Sequence, residues 1–329
     1  MSLPVLSGEK ILITGPAGQI AAPLAAQLAK DNDVWGIARF SAEGSREEVE
    51  AMGVTTRVVD LADGSFGDLP TDFSYLLHLA AAIGPSADYD QAIRVNAEAT
   101  GALLEHCRKA KAALVMSTFS VYKPNADPHH RFVETDPLGE AVLPGTPTYS
   151  ISKITEEAVA RFCARSFGLP VTIARMNAAY SSRGGLPAYH LDAIVAGTPV
   201  TVRHDPCPYS VIHQDDINGQ VAALLDAASV PATIVNWCGD EGVSPSEWCA
   251  YFGELTGIEP NVIVQEVPGS QIGATGDVTK RTAITGPCKV DWRTGFRRMY
   301  EERYPNGAAG GMLATGRANP LAGATGPQS

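Results

Sequence analysis

Tyr149 and Lys153 stand four residues apart in the run Tyr-Ser-Ile-Ser-Lys, at the head of a long helix-like segment. At that spacing both side chains share one helix face. An ammonium beside a phenol favours the phenolate and lowers its pKa. A tyrosine so tuned exchanges a proton with a carbinol or carbonyl near neutral pH. An ordinary exposed Tyr/Lys pair has the same spacing, so the weight of this one comes from what precedes it. Residues Leu114 to Tyr122 read Leu-Val-Met-Ser-Thr-Phe-Ser-Val-Tyr, an apolar strand closing on hydroxyls at its carboxyl end. Open α/β sheets bind ligands there, and a hydroxyl can hold a reacting oxygen.

A third segment runs from Thr14 to Ala21, Thr-Gly-Pro-Ala-Gly-Gln-Ile-Ala. It follows the apolar run Lys10 to Ile13 and opens a helix-like stretch ending near Lys30. Glycines at a strand-to-helix turn let the backbone approach a pyrophosphate, and the helix N-terminus favours its charge. A bound dinucleotide in turn implies redox chemistry. The next strand, Val34 to Phe40, carries Gly36 and Arg39 where an NAD site usually offers an acid for the ribose hydroxyl. Arg39 suits a 2′-phosphate, so NADP(H) is expected, with NAD(H) the alternative. Asp33 lies too early in the strand to reach the ribose.

Strand-like runs near 10–15, 33–39, 55–60, 75–81, 112–118 and 171–176 alternate with helix-like stretches near 18–30, 45–52, 89–110 and 149–167. Repeated β–α units predict a doubly wound parallel sheet covered on both faces, the Rossmann architecture. Residues 1–177 read as the dinucleotide-binding domain, rejoined by part of 211–240, and residues 178–305 as a smaller substrate-binding region. Residues 306–329 are rich in Gly and Ala and read as a disordered tail. Within 149–167 the apolar stripe Ile151, Ile154, Ala158, Val159, Phe162 and Cys163 predicts the buried face, with Tyr149 and Lys153 roughly opposite its centre.

These segments together resemble an extended short-chain dehydrogenase/reductase of the NAD(P)-dependent epimerase/dehydratase family. The resemblance covers most of residues 8–303. Its glycine motif has the wide first gap seen between Gly15 and Gly18. Asp60-Leu61 resembles the family's adenine-contacting pair. His78-Leu79-Ala80-Ala81 resembles its strand end beside the cofactor, and Asn96 its helix asparagine. Arg175-Met176-Asn177 with Tyr180, and Val211-Ile212-His213-Gln214-Asp215-Asp216, resemble two later segments. The resemblance implies a catalytic set of Thr118, Tyr149 and Lys153. Tyr149 is the implied acid/base. Lys153 depresses its pKa and holds the nicotinamide ribose, and Thr118 orients the reacting oxygen. Implied cofactor contacts are Gly15, Gly18, Gln19, Ile20, Arg39, Asp60, Leu61, Ala80, Ala81 and Asn96, with Tyr149 and Lys153. Ser120, Tyr122 and Asn177 are candidate substrate contacts. Homodimerisation through helices near 89–110 and 149–167 is a further family expectation.

The leading expectation is hydride transfer to or from a small carbonyl or secondary alcohol. A nucleotide-sugar epimerase or dehydratase is the alternative, and a non-catalytic NADP-sensing protein a third. Relatives acting on nucleotide sugars often place an arginine before the Ile-His segment, whereas Tyr209 stands there in this chain. A net charge of −11 disfavours nucleic acid and anionic membrane as partners. No apolar run reaches a membrane-spanning length. The first ten residues lack a signal-peptide pattern, and the six scattered cysteines suit a reducing cytoplasm. His129-His130 has no third ligand at metal spacing, so no metal is expected. Asp215-Asp216 reads as a helix start, and Glu156-Glu157 as a solvated helix face.

Overall fold

The structure is a computed structural model and describes residues 4–311. Seven apolar segments form the central sheet: β1 (Lys10–Thr14), β2 (Asp33–Ala38), β3 (Thr55–Val58), β4 (Tyr75–His78), β5 (Ala112–Thr118), β6 (Val171–Met176) and β7 (Thr233–Trp237). Their order is β7-β6-β5-β4-β1-β2-β3, and every neighbouring pair is parallel. The doubly wound fold is thus the one the alternating elements predict. Side chains alternate across the pleat. Ile11, Ile13, Leu77 and Leu114 enter one apolar layer, while Leu12, Leu76 and Val115 enter the other. The chain leaves β1 toward β2 and β3, then returns to β4 on the other side. That reversal opens a crevice at the carboxyl ends of β1 and β4.

Helices α1 (Ala21–Leu28), α2 (Ser45–Glu50), α3 (Tyr89–Ile93), α4 (Ala99–His106) and α5 (Tyr149–Phe167) make the first crossovers. The helix predicted near 89–110 is continuous from Tyr89 to His106, with α3 and α4 running through a π-helical turn at Arg94–Glu98 that carries Asn96. Such turns often mark functional positions. Further on lie α6 (Leu186–Val195), α7 (Gln214–Asp226), α8 (Pro245–Thr256), α9 (Thr279–Thr285) and α10 (Trp292–Arg303). α7 adds Ile217, Val221 and Leu224 to the same apolar layer as α1, and β7 extends the sheet beside β6. Residues 214–237 therefore belong to the sheet layer. A separate core of Leu191, Trp248, Phe252, Phe296 and Met299 unites α6, α8 and α10. α8 begins with a capping box between Ser244 and Glu247 and stops at Gly257, whose φ is +72°.

Two sequence readings are corrected. The buried face of α5 is not the apolar stripe. It comprises Ser150, Ser152, Lys153, Glu156, Glu157, Ala160, Cys163 and Ala164, whereas Phe162 is 62% exposed. Buried partners on β4, α4 and β6 satisfy the polar groups, so the buried face is mostly polar and shares only Cys163 with the predicted stripe, while Ile154 and Val159 are partly buried. Residues 306–311, read as the start of a disordered tail, form a turn with a short 3-10 segment at Ala308–Gly310. The rest of that tail lies outside the described residues. No helix among the described residues is long and apolar enough to cross a membrane.

Candidate active site

The glycine turn is built by backbone geometry. Gly15 has φ +64°, a left-handed conformation that favours glycine, and a Cβ there would stand 3.3 Å from Ala80. Its N–H donates to the Ile37 carbonyl at 2.9 Å, and Gly18 N–H donates to the Gly15 carbonyl at 2.8 Å. The Thr14 hydroxyl accepts from the Leu79 and Ala80 N–H groups at 3.0 Å each. It also meets His78 Nδ1 at 2.9 Å, which ties the ends of β1 and β4 together.

A cleft of about 720 Å³ opens above this turn. It runs from Gly15, Gly18, Gln19 and Ile20, past Arg39, Ala80 and Ala81, to Thr118, Tyr149 and Asn177, and ends at Leu186 and Tyr189. A side hollow of about 170 Å³ is lined by Asp60, Leu61, Ala82 and Val95 and shares Gly15 and Arg39 with the cleft. Asp60 itself caps a short turn by accepting from Ala62 N–H at 3.0 Å. Arg39 is exposed and makes no ion pair with a described residue. The cleft therefore has the parts a dinucleotide needs: a cradle that a Cβ would crowd, a helix start and a free guanidinium.

Tyr149 is the first residue of α5, and Thr118 the last of β5. Burial pushes the Tyr149 phenol above its ordinary range. The Lys153 ammonium pulls down, the Glu156 carboxylate pushes up and the Thr118 hydroxyl pulls down. The lysine pulls in the expected direction, against the larger effect of lost water. Lys153 is 1% exposed and lies outside the cleft lining, so the structure does not place it where a ribose contact was expected. Its ammonium donates to the Met116 carbonyl at 2.8 Å and pairs with Glu156.

Glu156 and Glu157, read as solvated, are both fully buried. Glu157 takes a two-pronged ion pair from Arg175, at 2.9 and 2.7 Å, and a 2.6 Å hydrogen bond from Ser117. Both carboxylates follow Lys153 at helical spacing, so a buried lysine would have pointed to them in the sequence.

Other expected contacts separate. Asn96 is sealed inside: its Oδ1 accepts from Ala82 N–H at 2.7 Å, and its Nδ2 donates to the Ala82 carbonyl and to Ser152 Oγ. It braces the segment after β4 instead of lining the cleft. Tyr122 is fully buried and cannot line a substrate pocket. Its hydroxyl donates to Asn236 Oδ1 at 2.5 Å, and its ring lies 4.7 Å below the Arg175 guanidinium. Ser120 also lies outside the cleft lining, although its hydroxyl is 3.3 Å from that of Thr118. Asn177 does line the cleft, but its amide already donates to the Ala274 carbonyl and accepts from Ala178 N–H. Tyr209 is not part of the cleft lining. Tyr189 was missed by sequence reasoning. Its hydroxyl donates to Gln19 across the cleft at 3.1 Å, a contact only the fold creates.

The fold and cleft define a dinucleotide-binding enzyme of the doubly wound α/β class. The chain belongs to the NAD dependent epimerase/dehydratase family, whose model matches residues 11–231. It is therefore an enzyme of NAD(P)-dependent oxidoreductase or epimerase/dehydratase type, and the non-catalytic reading falls. No curated protein matches the sequence. Among solved structures, UDP-glucose 4-epimerase from Thermus thermophilus, in complex with NAD, is 25% identical with a TM-score of 0.74. The alignment covers 88% of this chain and 97% of that one. A mutant UDP-glucuronic acid 4-epimerase from Bacillus cereus, in complex with a fluorinated substrate analogue and NAD, is 21% identical with a TM-score of 0.78. Coverage is 89% and 98%. UDP-N-acetylglucosamine 4-epimerase from Methanobrevibacter ruminantium is 19% identical with a TM-score of 0.77, covering 89% and 97%.

Proposed function

We propose that the enzyme is an epimerase or dehydratase of nucleotide sugars that oxidises a secondary carbinol transiently, with Tyr149 as acid/base. The observation that carries this reading is the single cleft that joins the glycine turn to Thr118 and Tyr149. The neighbours named above, all UDP-sugar 4-epimerases, support the substrate class. A bound nicotinamide would exchange hydride with the carbinol carbon. Tyr149 would take the hydroxyl proton and return it, and Thr118 would hold the same oxygen. Lys153 would act on the phenol through space, from within the protein. Gly15, Gly18, Gln19, Ile20, Ala80 and Ala81 would border the cofactor, with Asp60 and Leu61 at its adenine end. Arg39 supports NADP(H), since no acid stands at the end of β2. NAD is what two of the neighbours named above hold.

A second reading is net oxidoreduction of a small uncharged carbonyl or alcohol. It is favoured by the lining of the cleft, where Arg39, at the β2 end, is the only charged side chain among the described residues. Among the described residues, no side chain lining the far end carries a positive charge for a diphosphate. Cofactor stoichiometry separates the two. Product formed without net change in nicotinamide absorbance supports the epimerase or dehydratase, and one reduced cofactor consumed or formed per product supports the second reading.

The half-exposed apolar side of α5, which includes the exposed Phe162, supports a homodimer. Six unpaired cysteines, five of them buried, support a cytoplasmic setting. We assign substrate binding to residues 178–210 and 238–305, beyond the sheet layer.

A further inference from the structure

At the rim of the cleft, a short turn just before α6 reaches across to α2. Ser181 and Gly184 close the turn by exchanging backbone hydrogen bonds at 3.0 and 3.1 Å, and Arg183 N–H donates to Ser181 Oγ at 3.2 Å. Gly184 has φ +146°, which L side chains rarely adopt. A Cβ there would stand 2.8 Å from Gln19 Oε1 and 2.9 Å from the Tyr189 hydroxyl, so the turn rests on the bond that spans the cleft. Its base is fixed. The Ser182 carbonyl accepts from Arg303, a fully buried guanidinium in a two-pronged pair with Asp192 of α6. Its tip is held differently. Arg183 Nη2 meets Glu48 Oε1 on α2 at 2.6 Å, and the two side chains are 17% and 39% exposed. Arg183 Nε is buried and has no hydrogen-bond partner among the described residues, so opening the pair returns that donor to water. Neither residue lines the cleft, whereas Ala42 and Ser45 on one wall and Gly185 and Leu186 on the other do.

We infer that the Arg183–Glu48 pair is a clasp over the nucleotide end of the cleft, which must part for the dinucleotide to enter or leave. The inference rests on the proposed cofactor site. Three arrangements support it. The pair joins the two walls, its turn is fixed at the base and free to open at the tip, and α2 has Val49 as its one buried apolar anchor. An element six residues long and so lightly anchored opens at low free energy. An enzyme that returns its hydride within one cycle needs no cofactor exchange between turnovers, so a closed clasp suits the epimerase or dehydratase reading.

Stopped-flow fluorescence of NADPH and NADH tests this without any substrate. Mixing gives the association rate, and displacement by excess oxidised dinucleotide gives the dissociation rate. Glu48→Gln keeps the side-chain shape and removes the charge. It is expected to raise both rates by about three- to tenfold while Kd stays within about twofold, because a gate slows entry and exit alike. Arg183→Met is expected to match it, and the double variant to add nothing further, since both changes remove one interaction. Unmoved rates overturn the proposal, as do additive effects in the double variant. Faster dissociation alone, with a weaker Kd, also overturns it and would make the pair a direct cofactor contact. If Arg183→Met does not fold, salt replaces it: wild-type exchange must quicken with ionic strength and that of Glu48→Gln must not. A wild type that binds neither dinucleotide overturns the cofactor reading itself, whereas saturable binding with unmoved rates overturns the clasp alone.

Discussion

One phenol and one guanidinium concentrate most of what can be tested in single side chains. Tyr149 lines the cleft beside Thr118, while the other lining phenol, Tyr189, is engaged with Gln19. Replacing Tyr149 with phenylalanine keeps the ring and removes the proton. Turnover is expected to fall by about 10²–10⁴-fold while cofactor affinity, read by fluorescence titration, stays unchanged. Equal loss of both would show a structural role. Arg39 lies at the other end, exposed and free of ion pairs with described residues. Arg39→Ala is expected to weaken NADP(H) by about 10–100-fold, the worth of charge-assisted hydrogen bonds, and to leave NAD(H) nearly unchanged. Parallel loss for both cofactors would remove the 2′-phosphate role. The two variants are independent, because they stand at opposite ends of one groove.

Elements bring these side chains together through their ends. The carboxyl ends of β1, β4 and β5 deliver Thr14, His78 and Thr118, and the start of α5 delivers Tyr149. The π turn before α4 presents Asn96, which clamps Ala82 to Ser152 of α5 and so holds the loop after β4 against that helix. In the second core, α6 and α8 meet where Trp248 Nε1 donates to His190 Nδ1 at 3.0 Å. That bond requires an unprotonated nitrogen. Burial lowers the His190 pKa from 6.5 to about 4. Between these values the unfolded chain binds a proton that the folded one refuses, so stability rises with pH there. The contribution is complete above pH 6.5 and is lost as pH falls toward 4. Its size is about 2 kcal/mol after allowance for partial exposure. Chemical denaturation at a series of pH values should show that slope in the wild type and lose it in His190→Gln. An unchanged slope would place the acid sensitivity elsewhere.

At the scale of the molecule, the sheet layer and the second core share the cleft between them. Gln19 from the glycine turn meets Tyr189 from α6, and Arg183 pairs with Glu48 of α2 at 2.6 Å. These cross-links tie the sheet layer to the segment around α6. On the outside, α5 leaves Phe162 62% exposed with Ala158 beside it. A large apolar side chain in that position fits a partner surface. Phe162→Glu is expected to convert a dimer to monomers in light scattering, with the melting profile of the monomer retained. A wild-type protein already monomeric at micromolar concentration would end the dimer proposal.

Local patterns determined much of this. Alternating apolar runs and a glycine turn were enough to reveal the doubly wound sheet, because each depends on neighbours within a few residues. The same holds for Gly15, Thr118 and Tyr149, which sit at strand and helix ends that the pattern itself marks. What lay beyond the sequence depended on which partner each side chain would meet across the fold. Phe162 belongs to an apolar stripe yet faces outward, while Glu156 and Glu157 look solvated yet lie buried. Periodicity reports which residues share a face, and burial of charge depends on a partner elsewhere in the chain. For Glu157 that partner is Arg175 on β6, and for Tyr122 it is Asn236 on β7. Tertiary packing alone brought those groups within bonding distance, because each pair lies on separate elements far apart in the sequence.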